Sequence, residues 1–284
     1  MKLYIIESKN TNVYYNLAIE EYLINNTNNN IFIFFWKSKN SLVIGKHQNP
    51  WKEINFNFEL VKNGEIKIAR RISGGGTVFH DLGNLNYSFV SPKNYLNSQE
   101  IFEIIIKTLK NMDIDVEKNY KNDLIYKDYK FSGSAFSIKK DKFLHHGTLL
   151  INSNLELINE TLGKNEKIKT KATESKPSKV INLKEINYCI NEEMIKNNII
   201  RETSKYLKLS GIKIATKYFR DESLMEKHKS WEWIYGNTPK FIFKFEDNEF
   251  NVENGYITYI NSKKLKNPMK FDLMNFENLN YQKV

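Results

Sequence analysis

Fifteen residues, RRISGGGTVFHDLGN (Arg70–Asn84), constrain this chain more than any other stretch. The 284-residue sequence has only 12 glycines, and Gly74, Gly75, Gly76 and Gly83 fall inside it. Glycine admits positive φ and lets two backbones, or a backbone and a ligand, approach closely. Successive N–H groups freed of side chains can cradle an anion. Arg70 and Arg71 stand before the glycines, and His80, Asp81 and Asn84 after them. The wording matches neither the phosphate loop G-x-x-x-x-G-K-[ST] nor the dinucleotide fingerprint G-x-G-x-x-G, so neither fold is indicated. Alone, the stretch reads as a tight turn, a hinge, or one wall of an anion pocket.

The segments around it mix strands and helices without strict βαβ alternation, which argues for an α+β fold. KLYIIES (2–8) reads as a strand. Residues 12–26 place Tyr14, Leu17, Ala18 and Tyr22 at helical spacing, beside the paired acids Glu20 and Glu21. IFIFFWK (31–37) and SLVIGK (41–46), joined by SKN, predict a hairpin. Residues 98–112 predict an amphipathic helix with Ser98 as its cap. Short strands follow to residue 152, with turns at YKD and KKDK. A short helix is expected at 155–162, a long lysine-rich polar loop at 162–180, and helices at 191–209 and 219–229. Asn254-Gly255 marks a late hairpin turn.

Composition narrows the class. There is no apolar run long enough to span a membrane and no secretory signal pattern. Cys189 is the only cysteine, which excludes an intrachain disulfide and argues against a cysteine-based zinc cluster. A reducing, cytoplasmic setting fits. The net charge of +10 suits either solvated lysine-rich faces or an anionic partner. No nucleic-acid motif accompanies the charge. Four further residues read blandly alone. Lys130, on a strand, is expected to face solvent. The adjacent His145 and His146 face opposite sides of a strand, so they do not chelate one metal, and one is expected buried with the other outward. Cys189 reads as a small buried hydrophobe.

The stretches in this order nevertheless resemble the lipoate–protein ligase A family. The family pattern R-R-x-S-G-G-G-x-V-x-H-D-x-G-N fits residues 70–84 throughout. Further matches are VIGKHQNPWKE (43–53), KNDLIY (121–126), KFSGSA (130–135), HHGTLL (145–150), SKVINL (178–183) and SWEW (230–233). The likeness runs from residue 1 to about 262. It implies a biotin/lipoate ligase-like catalytic domain over 1–240, with mixed β-sheets flanked by helices. Residues 241–284 are then a short, hairpin-containing remnant of an accessory domain.

The same resemblance implies activation of free lipoate by ATP and Mg²⁺ to lipoyl-AMP, then transfer of the lipoyl group to a lysine. The acceptors are acidic lipoyl domains of 2-oxoacid dehydrogenase subunits or the glycine-cleavage H protein, with no nucleic acid or membrane involved. Lys130 is the implied catalytic residue, bridging the acyl carboxyl and the α-phosphate. Arg71, Gly76, Thr77, Val78, Phe79, Asn84, Asn122, Ser178 and Val180 join it around the nucleotide. Trp36, Arg70, Ser73, Gly74, Gly75, His80, His146 and Gly147 are implied around lipoate, with Val43, Ile44 and Phe79 as candidate tunnel walls. Asp123, beside Asn122, is the candidate Mg²⁺ contact. Loop 165–182 corresponds to the family's adenylate-covering loop. Since family members carry a further C-terminal domain, sometimes on a separate polypeptide, the main rival is a transferase that uses only preformed lipoyl-AMP. A non-catalytic lipoate- or acceptor-binding protein is the rival of another class. Biotin as acyl group is disfavoured by the wording of the glycine stretch.

Overall fold

In chain order the elements of the computed structural model are β1 (Leu3–Glu7), α1 (Val13–Asn26), β2 (Ile31–Trp36), β3 (Ser41–Ile44), α2 (Pro50–Glu53), α3 (Glu59–Lys62), β4 (Lys67–Arg70), β5 (Val78–His80), β6 (Asn84–Pro92), α4 (Ser98–Lys110), β7 (Glu117–Lys118), β8 (Asp123–Tyr126), β9 (Tyr129–Lys139) and β10 (Lys142–Leu150). They continue with α5 (Leu155–Thr161), β11 (Ile168–Thr170), α6 (Leu183–Ile186), α7 (Glu192–Tyr206), β12 (Ile212–Ile214), α8 (Glu222–Lys229), a π-helical turn (Glu232–Gly236), β13 (Phe241–Phe245), β14 (Asn248–Glu253), β15 (Tyr256–Ile260), β16 (Lys263–Lys270) and α9 (Leu273–Asn278). The structure describes residues 2–208, 212–214 and 221–278. The elements gather into two units, each built from separated segments. The first takes Met1–Lys39, His80–Leu155 and Pro177–Met225; the second takes Asn40–Phe79, Glu156–Lys176 and Glu226–Val284. This grouping runs across the expected division at residue 240.

The first unit is an eight-stranded mixed sheet in the order β12-β1-β2-β6-β10-β9-β8-β7. β1 lies parallel to β12 and β2, and every later neighbour is antiparallel. Alternation along the strands sends Ile33, Phe35, Tyr87 and Phe89 to one face, where Ile101 and Ile105 of α4 and Ile195 and Ile199 of α7 complete a core. Trp36, Ser88 and His146 go to the opposite face, under α1. With both faces covered, β6 is buried over almost its whole length although half its residues are polar. The second unit holds the antiparallel sheet β11-β13-β14-β15-β16 and the small sheet β4-β3-β5. Its core brings Ile44, Trp51, Phe79, Phe241, Phe243 and Phe271 together.

Several expectations change. β2 and β3 make no hairpin: β2 lies between β1 and β6, and β3 runs parallel to β4 in another sheet. The apolar run IFIFFW suits a strand buried on both faces, which a hairpin would not supply. The cap of α4 is Asn97, in a capping box with Glu100, and not Ser98. The lysine-rich segment is not all loop, because β11 pairs with β13. Beyond the expected hairpin, residues 241–270 make four antiparallel strands. Asn254 and Gly255 do form a turn, with φ of 50° and 77°. Residues 209, 219 and 220 of the expected helices lie outside the described residues.

Candidate functional site

In the second unit, the glycine stretch is organised around Arg71. The guanidinium donates to Gly74 O (2.6 Å) and Gly76 O (2.7 Å) through Nη2, and to Val43 O (2.8 Å) through Nη1. Its Nε donates to Ser73 Oγ (3.1 Å). A trans peptide plane points its N–H opposite its C=O. Carbonyls of Gly74 and Gly76 aimed at the arginine therefore turn the N–H groups of Gly75 and Thr77 away from it. That is the geometry of an anion cradle whose positive support lies behind the backbone. Gly45 is needed beneath it: a Cβ there would stand 2.1 Å from Gly75 O.

Ser175 covers this cradle. Its Oγ accepts from Thr77 N (2.9 Å) and from Gln48 Nε2 (3.0 Å), and its N–H donates to Glu53 Oε2 (3.0 Å). Gln48 closes the network by accepting from Gly45 N and Thr77 Oγ1 (both 2.9 Å) and donating to Glu53 Oε2 (3.0 Å). Burial raises the Glu53 carboxyl above its ordinary pKa, against the opposing hydrogen bonds from Ser175. Sequence reasoning missed Gln48, Glu53 and Ser175 as site residues. Gln48 and Glu53 were visible within VIGKHQNPWKE; nothing local marks Ser175.

Arg70 does something different from its neighbour. It is fully buried, and its guanidinium donates to the carbonyls of Gly45, Lys46, Gln48, Trp233 and Ile234 and to Thr238 Oγ1. Burial lowers its pKa to about 10. Every donor nitrogen is engaged by this unit's own chain, so Arg70 ties the glycine region to the π-helical turn. The Phe79 and Ile44 side chains sit in the second unit's core. Val43 is buried beside them in sequence.

In the first unit, Trp36 and His146 come together through Glu20, and His80 packs on Trp36. Trp36 stacks edge-on against His80, with centroids 5.4 Å apart. Trp36 Nε1 donates to Glu20 Oε1 (3.3 Å), Ser88 Oγ donates to the same oxygen (2.5 Å), and His146 Nδ1 pairs with Glu20 Oε2 (2.9 Å). Burial works against ionisation of Glu20. The His146 charge and the hydrogen bonds from His146, Ser88 and Trp36 outweigh it and hold the carboxyl below its ordinary pKa. The signal for Glu20 was its position: Val13, Leu17, Glu20 and Ile24 form one buried stripe of α1. Asn84 is buried, donates to Asn86 Oδ1 (3.1 Å), and its Oδ1 has no hydrogen-bond partner among the described residues. Asp81 shapes the turn before it, accepting from Gly83 N (2.8 Å) and Asn154 N (2.7 Å). Gly147 makes room for Tyr87, whose hydroxyl would lie 2.4 Å from a Cβ there.

His145 and His146 do face opposite sides of β10, but both are buried, because helices cover both faces. His145 packs against Phe102 and meets Ser98 Oγ at 3.2 Å; burial and the His146 charge push its pKa down to about 3. Lys130 does not extend freely into solvent. Its Nζ pairs with Asp123 Oδ1 at 2.7 Å and lies over Gly133, 3.0 Å from where a Cβ would stand. Its backbone is held by the segment that contains Val180: Lys130 N donates to Lys179 O (2.8 Å), and Ile181 N donates to Lys130 O (3.0 Å). Ser178 is exposed nearby in sequence. Asn122 adopts a left-handed turn (φ 62°) and accepts from Lys118 Nζ (3.5 Å). Cys189 is exposed, not buried as the sequence suggested. No helix of the described residues is long and apolar enough to cross a membrane.

Comparison with known proteins agrees with this geometry. Residues 12–204 match the lipoyl protein ligase A/B catalytic domain. A lipoate-protein ligase A of Psychrobacter cryohalolentis is 37% identical over 259 residues, covering 87% of this chain and 76% of that one. A human mitochondrial lipoyl amidotransferase, LIPT1, is 36% identical over 250 residues, covering 84% and 66%. The crystal structure of Plasmodium falciparum LipL1 in complex with lipoate superposes with a TM-score of 0.72 at 33% identity, covering 92% of this chain and 83% of that one.

Proposed function

The chain belongs to the lipoyl protein ligase A/B catalytic-domain family, and we propose that it activates free lipoate with ATP and transfers the lipoyl group to a lysine of an acceptor lipoyl domain or H protein. In the first half-reaction a lipoate carboxylate oxygen bonds to the α-phosphorus of ATP and pyrophosphate leaves. In the second, the neutral ε-amine of the acceptor lysine bonds to the acyl carbon. The bond from that carbon to the AMP oxygen breaks, AMP leaves with the electron pair, and the amine nitrogen releases a proton. Both steps crowd negative charge at one centre, so fixed positive charge and backbone N–H donors are the groups that lower the barrier.

The observation that carries this reading is the Lys130 ammonium, fixed by Asp123 at 2.7 Å above a glycine. A compact point charge with several donors suits a task in which the partner oxygens change between the two steps. Lys130 is assigned the acyl carboxyl and the α-phosphate. The N–H groups of Gly75 and Thr77, backed by Arg71, are assigned nucleotide phosphate oxygen, which displaces the Ser175 hydroxyl. Asn84, with its unpartnered oxygen, and the Val180 segment are assigned to the nucleotide as well. Trp36, His80 and His146 are assigned to the acyl group. Arg70 is withdrawn from direct ligand contact because its nitrogens already serve the fold.

Mg²⁺ is implied by the family, and the residues at Lys130 fit it thinly. Asp123 offers a single carboxylate, and among the described residues the only trio of acids able to share an ion is Glu7, Glu192 and Glu193, elsewhere in the first unit around Lys196. A single carboxylate with the amide oxygen of Asn122 suits an ion held mainly by ATP phosphates, where it neutralises phosphate charge.

A second reading is transfer from preformed lipoyl-AMP alone; the human relative named a lipoyl amidotransferase supports the lipoyl-transfer step and does not name the donor. Purified chain is incubated with an unmodified lipoyl domain and either ATP, Mg²⁺ and lipoate or synthetic lipoyl-AMP, and the domain's mass is read. Modification in both tubes supports the ligase. Modification only with lipoyl-AMP replaces it with the transferase, and none in either excludes both.

A further inference from the structure

We propose that the outer edge of β9 from Ser134 to Lys139 is the docking edge for the acceptor domain, which adds a strand there; this rests on the reading that the chain modifies such a domain. Among the described residues β9 has three partners. β10 pairs with Ser134–Lys139 on one side, the Lys179–Ile181 segment holds Lys130 on that same side, and β8 pairs with Tyr129–Gly133 on the other. The fourth quarter, opposite β10 along Ser134–Lys139, carries no strand among the described residues. β8 stops there for a local reason. Its first residue, Asp123, pairs with Gly133, and Asn122 before it turns the chain away through a left-handed conformation (φ 62°).

The vacant edge therefore begins where β8 ends. Six residues of strand span about 20 Å, enough for one added strand of ordinary length. An open edge offers a row of unpaired backbone groups that templates such a strand. Phe136 and Ile138, two residues apart on one face, are 52% and 51% exposed, an unusual exposure for neighbouring large apolar residues in a strand. A strand seated here runs end to end with β8, so its near terminus abuts Gly133 and Asp123. Lys130 Nζ lies over that same glycine. A target lysine presented at a hairpin tip following the added strand arrives beside the Lys130 ammonium without rearrangement of the sheet.

Charge selects the occupant. Lys139, Lys140 and Lys142 crowd the far end of the edge against one acid, Asp141, and the whole chain carries +10. A second copy of this chain would set those lysines and two +10 chains against each other. An acidic domain meets them with attraction.

The test uses an isolated, unmodified, acidic lipoyl domain of a 2-oxoacid dehydrogenase subunit. Hydrogen–deuterium exchange of the ligase is followed with and without it, and kinetics are compared for the parent and for Phe136→Glu combined with Ile138→Glu. We expect slowed exchange at 134–139 on adding the domain. We also expect the variant to need at least about tenfold more domain for half-maximal transfer, with lipoyl-hydroxamate formation from hydroxylamine unchanged within about twofold. Hydroxylamine replaces the acceptor lysine and needs no docking, so it reports the small-molecule chemistry alone. Protection elsewhere, no protection, an unaltered acceptor requirement, or protection that grows with ligase concentration without the domain each overturns the proposal. If the parent neither forms hydroxamate from ATP and lipoate nor modifies the domain from lipoyl-AMP, the catalytic reading fails instead, and the exchange measurement still decides the docking edge.

Discussion

At the scale of single residues, adjacent side chains of the same type do opposite work. Arg71 shapes a cradle, whereas Arg70 spends its donors on five carbonyls and a hydroxyl. Arg70→Met should lower the free energy of unfolding by about 3 kcal/mol or more, because several buried carbonyls lose their partner. Urea titration checks this; the ligand role implied by the resemblance would instead raise the KM for lipoate at unchanged stability. Lys130→Ala should leave the urea midpoint nearly unmoved and reduce transfer from lipoyl-AMP by about a hundredfold or more. Normal transfer by that variant would remove Lys130 from catalysis. His145 supplies a pH signature. Its folded pKa of about 3 lies below its ordinary 6.5, so the unfolded chain binds the proton first. That stability is full above pH 6.5 and is lost as pH falls from there toward 3, amounting to about 1.4 kcal/mol at pH 5.5. His145→Phe, packed against Phe102 and Phe143, should lack this part of the slope between pH 7.5 and 5.5 in urea titrations.

At the scale of elements, the glycine stretch separates two uses of a missing side chain. Gly45 is missing one for the fold: a Cβ would stand 2.1 Å from Gly75 O, a backbone atom that cannot step aside. Among the described residues, and apart from its own chain neighbours, Gly74 faces no atom within 4 Å of its would-be Cβ. Gly45→Ala should therefore destabilise the protein by about 1–3 kcal/mol. Gly74→Ala should melt with the parent and lose activity only if a ligand lies against that backbone. Paired melting curves and hydroxamate assays distinguish the two, and a destabilised Gly74→Ala would contradict the geometry. The strand β9 shows the same economy at its own scale, since one strand fixes Lys130 at one end and leaves a vacant edge at the other.

At the scale of the whole molecule, the relevant quantity is charge. A surface at +10 attracts an acidic acceptor over distances that salt screens. Raising ionic strength from about 0.05 to 0.5 M should lower kcat/KM for an acidic lipoyl domain by about tenfold or more, and barely alter hydroxamate formation. Equal salt sensitivity in both assays would remove charge steering as an explanation. The fold class was legible before any coordinates: mixed strands and helices, amphipathic α4, and the Asn254-Gly255 turn follow from local periodicity and turn chemistry. The pairing of β2 was not, because an apolar run specifies burial on both faces and leaves the partner open.

The site divides along the same line. By itself, the sequence determined which residue types stand at the glycine stretch, at Lys130 and at the histidine pair, and their order carried the resemblance to the lipoate–protein ligase A family, which is what implies acyl-adenylate chemistry. Only the tertiary structure decided that Arg70 is a brace and Arg71 a cradle, that Asp123 holds Lys130, that Glu20 joins Trp36 to His146, and that Ser175 reaches Thr77. The reason is physical. Glycine, arginine and lysine carry their chemistry wherever they stand, whereas the direction of a hydrogen bond and the burial of a charge depend on neighbours, some a few residues off, as Asp123 is from Lys130, and others brought in from nearly 100 or more residues away, as Ser175 is to Thr77 and Ile234 to Arg70.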